Sequence, residues 1–367
     1  MFDKLFGMFS HDIGIDLGTA NILVFVKGKG IVIREPSIVA IHKKTKEVIA
    51  IGSEAKKMLG KTPPTILVIR PLRHGVIADF DATASMIRHY IRQVHEASNS
   101  LTHALMRPRV VIGIPSSVTE VERRAVWEAA LSAGARSAYL IEEPMAAAIG
   151  AGISVNLPTG VMIVDIGGGT TEIAVISLGG IVVNRSLKIA GDEMDEAILH
   201  YVRLKHGLLL GEKTAEDVKM KIGSAFASQR SRPKADRPLD EKPREKEQDK
   251  MAIVRGRDIE TGLPKSLRLT EVEIREALSP VISQIIEGIA DVLEEAPPEL
   301  TADILEHGII VTGGGAKLAG LDKLIVERTH LPVIIADDPL TTVVRGTGVV
   351  LDDPLLLNRV KVTGGLQ

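Results

Sequence analysis

One pattern, written twice, constrains this chain more than anything else in it. Ile13-Gly14-Ile15 runs into Asp16-Leu17-Gly18-Thr19-Ala20-Asn21, continues through Ile22-Leu23-Val24-Phe25-Val26, turns at Gly28-Lys29-Gly30 and resumes at Ile31-Val32-Ile33. Val161-Met162-Ile163-Val164 runs into Asp165-Ile166-Gly167-Gly168-Gly169-Thr170-Thr171, continues from Glu172 to Ser177, turns at Gly179-Gly180 and resumes at Ile181-Val182-Val183. Strand, glycine turn, strand, glycine turn, strand predicts a three-stranded antiparallel meander used twice. Helix–strand alternation follows each copy, so each half is an α/β unit with a mixed sheet. The expected architecture is two similar lobes with the first glycine turn of each facing across a cleft, where ligands commonly bind.

Those turns carry chemistry. Glycine has no Cβ, so a strand feeding such a turn brings backbone N–H groups close to a ligand. The strand-end carboxylates Asp16 and Asp165 would repel a phosphate unless a divalent cation lay between them. A third turn, Thr312-Gly313-Gly314-Gly315-Ala316, follows Ile309-Ile310-Val311. A lone glycine hairpin means little, but three after apolar strands, two with the Asp, read as a clamp on a metal–polyphosphate.

The chain has 367 residues, 45% hydrophobic and 25% charged, which suits a globular protein of about two domains. A net charge of −2 gives no electrostatic reason for a nucleic-acid partner. With no cysteine, disulfides and thiolate metal sites are excluded. No apolar run reaches membrane-spanning length and no signal peptide is apparent, so the expected compartment is the cytoplasm.

Residues 34–60 read as a small insert: strands at 37–41 and 48–51, a lysine-rich turn between them, and a helix at 54–59. Helices are expected at 83–95, 119–133, 214–223, 271–294, 321–329 and 342–351, with Ser116 or Thr119 as cap and Pro297-Pro298 as a stop. Strands are expected at 109–114, 137–141, 251–255, 266–269 and 333–335. Leu101, Leu105 and Met106 lie in a polar loop, packed beneath it or, as a minor alternative, touching a membrane. Residues 228–250 hold eight basic and six acidic residues, three prolines and one leucine, too little apolar surface for a core, and read as a disordered surface loop.

In Glu143-Pro144-Met145-Ala146-Ala147-Ala148-Ile149-Gly150, proline suits a first helical turn and the small residues admit a neighbouring backbone. Glu142 and Glu143 either complement the helix dipole or place Glu143 in the cleft to orient water or a hydrated cation. Near the N-terminus, Met1, Phe2, Leu5, Phe6, Met8 and Phe9 share one helical face, opposite Asp3 and Lys4. That segment either folds back onto the body or lies on a membrane surface, where many copies in a polymer would bind far better than one.

With these residues placed, the chain resembles the actin and DnaK ATPase superfamily and, within it, the MreB family of bacterial actins. The matching stretches are residues 15–21, 70–79, 141–152, 164–172, 297–300 and 312–316, and the likeness covers almost the whole length. The resemblance implies an actin-like fold, two lobes each with a five-stranded-type mixed sheet. The first lobe would be residues 1–150, with an insert at about 34–70 and residues 337–367 returning to it. The second would be 151–336, with a small subdomain at about 191–260. It implies a slow ATPase using ATP and Mg²⁺, self-assembly into filaments, attachment to the inner face of the cell membrane through residues 1–10, and cell-wall elongation proteins as partners in maintaining rod shape. Carried over by motif, Asp16 and Asp165 would hold hydrated magnesium, while Thr19, Ala20, Asn21, Gly167, Gly168 and Gly169 would wrap the phosphates. Glu143 and Thr170 would position the attacking water, and Glu216, Lys219, Gly314, Gly315 and Ala316 would hold ribose and adenine. Loop 228–250 is longer and more charged than the family pattern.

Two rivals share the clamp. A DnaK-like chaperone would need a peptide-binding domain, and only 51 residues follow Ala316. A sugar or acetate kinase would need a base and a substrate pocket between the lobes; it would stay in the supernatant with ATP, whereas a filament former pellets.

Overall fold

The computed structural model describes residues 11–96, 107–226 and 250–362. The N-terminal segment 1–10, the loop containing Leu101, Leu105 and Met106, and all but the last residue of the charged stretch 228–250 lie outside the described residues.

Both copies of the repeated pattern fold as meanders. In the first, β1 (Ile13–Leu17), β2 (Asn21–Val26) and β3 (Gly30–Pro36) pair antiparallel; in the second, β11 (Val161–Ile166), β12 (Thr171–Ser177) and β13 (Gly180–Leu187) do the same. Each second strand carries a register shift, at Val24/Phe25 and Val175/Ile176. The turn before β13 has two positive φ values, 52° at Leu178 and 76° at Gly179, the mirror-image turn that matches strand twist.

Parallel strands complete each sheet. β9 (Arg109–Ile114) lies beside β1 and β10 (Ser137–Glu142) beside β9, giving the order β10-β9-β1-β2-β3. β17 (Ile309–Thr312) and β18 (Val333–Ile335) do the same for β11, giving β13-β12-β11-β17-β18. The two sheets have one topology, an actin-like fold with two lobes.

Between β3 and β9 lie β4 (Val39–His42), β5 (Val48–Ile51), helix α1 (Ser53–Met58), β6 (Ile66–Ile69), the short ribbon of β7 (Leu72–Arg73) and β8 (Val76–Ile77), and helix α2 (Phe80–Glu96). The sheet β5-β4-β6 has its own small core of Ile38, Ala40 and Ala55. Helix α3 (Glu120–Ser132) is capped by Thr119, which accepts from the Glu122 N–H while the Glu122 carboxylate takes the Thr119 N–H. Ser116, the other cap candidate, is engaged elsewhere.

Helix α4 (Glu143–Gly150) follows β10 directly. In the second lobe come α5 (Gly191–His206), β14 (Leu208–Leu209), α6 (Glu212–Ile222), β15 (Met251–Asp258), β16 (Pro264–Thr270) and α7 (Glu271–Glu295). Beyond the proline stop, Pro298 opens a further helix, α8 (Pro298–His307), because proline fits the first helical turn. After α9 (Leu321–Thr329) come α10 (Thr342–Asp352) and α11 (Pro354–Val360). Helices α5, α8 and α11 have no counterpart among the helices expected from the sequence.

Helices α4 and α10 cross at the junction of the lobes. A Cβ on Gly346 would lie 1.9 Å from the Ala146 carbonyl oxygen, and one on Gly150 1.8 Å from that of Thr342. These contacts are the close backbone approach the alanine- and glycine-rich sequence predicts. They sit in a core shared by both sheets, with Val111 and Ile141 from one and Ile163 and Ala174 from the other. The chain then returns to the first sheet, where the Val362 N–H donates to the Leu140 carbonyl.

Candidate functional site

The two Asp-bearing turns meet. A Cβ on Gly168 would lie 2.5 Å from that of Ala20, and one on Gly169 2.8 Å from Thr19 Cγ2. The Gly75 N–H donates to Thr19 Oγ1 at 3.0 Å, tying the loop between β7 and β8 to the first turn. The Asp192 N–H, in the first turn of α5, donates to the Gly168 carbonyl at 2.7 Å.

Beneath the turns lies a group of carboxylates, with Asp165, Glu143 and Glu172 buried and Asp16 half-buried. Asp16 ends β1 and pairs across the ladder with Leu23; Asp165 ends β11 and pairs with Glu172 on one side and Thr312 on the other. Burial alone pushes Asp16 up to about 7. Burial, then Asp16 and Glu172, push Asp165 up to about 8. Glu143, on the first turn of α4, is raised well above the usual carboxylate range by burial first, then by Glu172, Asp16 and Asp165. Its neighbour Glu142 takes the N-cap with no side-chain capping bond. Glu143 is thus both the acid of the first helical turn and within electrostatic reach of the other carboxylates.

Asp16 and Asp165, both raised first by burial, are a donor pair for a cation, with Glu143 beside them. Among the described residues no three His, Asp or Glu side chains close on one point as a metal cage. The set therefore fits a hard ion that takes one or two carboxylates and fills its shell with water and phosphate oxygens.

A cleft of about 300 Å³ opens beside the first turn, lined by Thr19, Ala20, Lys56, Arg70, Asp192 and Glu216 among others. Glu216 is engaged there by Lys56, 2.8 Å away across the cleft. Lys219 lies one helical turn further on, 2.9 Å from Asp195 and donating to the Gly191 carbonyl at 2.6 Å. Gly314, Gly315 and Ala316 form a short 3₁₀ turn against β11: a Cβ on Gly315 would lie 2.2 Å from Ile166 Cγ2. They do not line that cleft. Asn21 is exposed at the start of β2, and Thr170 is buried, its carbonyl accepting from the Gly167 N–H at 2.9 Å.

Residues that the motifs did not single out complete the arrangement. Arg70 pairs with Asp192 at 2.9 Å and Glu212 at 3.4 Å, and His74 lies 3.4 Å from Glu193. With Lys56–Glu216, these pairs tie the first lobe to α5 and α6. Glu172 lies beside the site carboxylates; it closes the matching stretch 164–172, and within its strand it is the one charged residue.

The MreB/Mbl protein family profile matches residues 10–359. The chain is 51% identical over 356 residues to the cell shape-determining protein MreB of Escherichia coli (strain K12), covering 96% of each. It is 46% identical over 346 residues to the cell shape-determining protein Mbl of Bacillus subtilis (strain 168), covering 94% of this chain and 97% of that one. The crystal structure of MreB5 of Spiroplasma citri bound to ADP superposes with a TM-score of 0.83 at 39% identity, covering 95% of this chain and 98% of that one. The same relative bound to AMPPNP gives 0.83 as well.

Proposed function

The chain belongs to the MreB/Mbl family, and from that premise we propose that it is an ATP-binding, slowly hydrolysing, actin-like cell-shape protein that assembles into filaments. The observation that carries this reading is the meeting of the Asp16 and Asp165 turns over a group of buried and half-buried acids. The nucleotide-bound relative MreB5 and the cell-shape relatives MreB and Mbl support it.

In this reading Asp16 and Asp165 hold the waters of a bound Mg²⁺, and the backbone N–H groups of Thr19, Ala20, Asn21 and Gly167, Gly168 and Gly169 face phosphate oxygens. Such an ion, when bound, supplies charge neutralisation between phosphates and carboxylates. Glu143, raised above the usual carboxylate range by burial, and Thr170 orient a water. Glu216 and Lys219 lie on α6 and Gly314, Gly315 and Ala316 beside Asp165, and we assign them to the ribose and base. Glu216 must exchange Lys56 for that role. Division into lobes 1–150 and 151–336, with 337–367 rejoining the first, accounts for the duplicated sheets.

We further propose that residues 1–10 hold filaments to the inner face of the cell membrane and that the filaments organise cell-wall elongation, a role that fits the relatives' names. Sedimentation tests both parts. With Mg-ATP the parent should pellet, and Asp165→Ala should stay in the supernatant and show no calorimetric ATP binding. With liposomes, Phe2→Asp/Phe6→Asp should pellet with ATP but lose the lipid. A parent that binds and hydrolyses ATP yet never pellets would replace the filament reading with that of a kinase-like enzyme.

A further inference from the structure

Glu172 is 1% exposed and lies in β12, two residues beyond Thr170. Across the ladder from Asp165 it fills the place that Leu23 fills across from Asp16 in the first copy of the meander. One copy has an apolar residue there and the other a carboxylate, so the duplicated fold does not require the charge. Among the described residues no salt bridge reaches it, and its partners are hydroxyl and amide groups. Its Oε2 accepts from both the N–H and the hydroxyl of Ser116, at 3.1 and 2.6 Å, and its Oε1 accepts from the Ser186 hydroxyl.

Ser186 is on β13, in the same lobe. Ser116 belongs to the other lobe, in the loop between β9 and α3, which the Thr119 capping box pins three residues on. The same loop touches the cleft at a second point. A Cβ on Gly75 would lie 2.5 Å from Pro115 Cγ and 3.0 Å from Thr170 Cγ2, so Pro115 and Thr170 flank one glycine. The ion pairs at the mouth of the cleft join the lobes at α5 and α6. Glu172 and Ser116 join them at the other end, beside Thr170.

We infer that Glu172 is a positioning residue for hydrolysis: through Ser116 it fixes the first lobe against the strand that carries Thr170, and so sets the closed register of the two lobes. The inference rests on the ATPase reading above. A carboxylate held by fixed donors is stiffer than an ion pair between long side chains, and a small misplacement of reacting groups is costly in rate. Neither Glu172 nor Ser116 need touch nucleotide, so their loss should act on turnover and spare affinity.

The test uses the full chain with Mg-ATP. Ser116→Ala and Glu172→Gln should bind ATP within about threefold of the parent and hydrolyse it about tenfold more slowly. The double variant should be no slower than the slower single, because Ser116→Ala removes the hydroxyl donor and Glu172→Gln replaces a charged acceptor by a weaker neutral one, so both act on one contact. Ser116→Thr keeps the hydroxyl and should restore the rate. Ser116 is a partly exposed loop residue, so its variants carry the test if Glu172→Gln misfolds. A Ser116→Ala protein at the parent rate, losses that multiply in the double variant, or a Ser116→Thr protein as slow as Ser116→Ala would each overturn the inference. The absence of cysteine permits a readout that does not involve hydrolysis. Spin labels at Val121→Cys on α3 and Leu305→Cys on α8, positions 79% and 61% exposed, report the separation of the lobes. That distribution should broaden in Ser116→Ala and not in Ser116→Thr. An unchanged distribution refutes the tether, whereas a parent without ATPase activity refutes the ATPase reading.

Discussion

At the scale of single residues, the site is dominated by acids that burial holds away from their ordinary titration. Asp165 titrates at about 8 in the folded chain against an ordinary 3.8, so the folded state binds its proton more tightly than the unfolded state. That contribution is complete below the unfolded value and is lost as pH rises to about 8, so the ligand-free protein pays progressively to fold across this window. Asp165→Asn should therefore melt higher than the parent at pH 8, converge with it near pH 4, and gain nothing from Mg-ATP; thermal melts across pH check this. Glu143→Ala should keep ATP affinity but hydrolyse about 10²-fold more slowly, measured by phosphate release in single turnover. Asp16 and Asp165 were legible because a carboxylate at the end of an apolar strand, just before glycines, has few structural uses. Glu172 was not legible, since a glutamate in a strand reads as a solvent-facing residue until tertiary packing covers both faces. Lys56 and Arg70 were hidden for a related reason: their partners lie 160 and 122 residues away.

At the scale of elements, the repeated meanders were readable strand by strand, because each strand holds an apolar run and each turn has its glycine, although β3 and β13 run on past the apolar runs to Pro36 and Leu187. Helix α5 was missed where Ala190-Gly191-Asp192 offers no conventional cap; the Ala190 N–H is instead taken by the Glu193 carboxylate at 2.8 Å. Helix α8 was missed because Pro297-Pro298 signals a stop and also a start, and only the fold tells which. The small residues of α4 were legible as a close approach but not their partner, α10, which lies some two hundred residues on. Gly346→Ala tests that crossing. A methyl 1.9 Å from the Ala146 carbonyl must push the helices apart, and overpacking of this kind costs about 1–3 kcal/mol or more. A fall in melting temperature of several degrees is expected. Gly262→Ala, at a surface turn with nothing within 4 Å but φ at 73°, should cost less.

At the scale of the whole molecule, the lobes are joined by a core at the α4–α10 crossing and by ion pairs at the cleft mouth. Those pairs are about a third exposed on the Lys56, Glu216 and Arg70 sides, and each contributes roughly 0.2–1 kcal/mol at most. Raising salt from about 0.05 to about 0.5 M should screen them and speed nucleotide release a few-fold. Arg70→Ala, which removes the pairs to both Asp192 and Glu212, should release faster at low salt and respond less to added salt; stopped-flow with a fluorescent nucleotide measures both. The return of the chain end to its starting sheet has a different consequence, one of timing. Gly14 of β1 packs against Thr347 of α10, and β10 gains its last neighbour at Val362. The half of the protein made first is thus finished by residues made much later. At about 5–20 residues per second, roughly two hundred residues separate α4 from α10, and the first lobe waits about 10–40 s with one sheet face uncovered. A nascent chain that has not yet made α10 therefore has an unfinished first lobe, and the cleft that this lobe borders cannot be complete until α10 has docked.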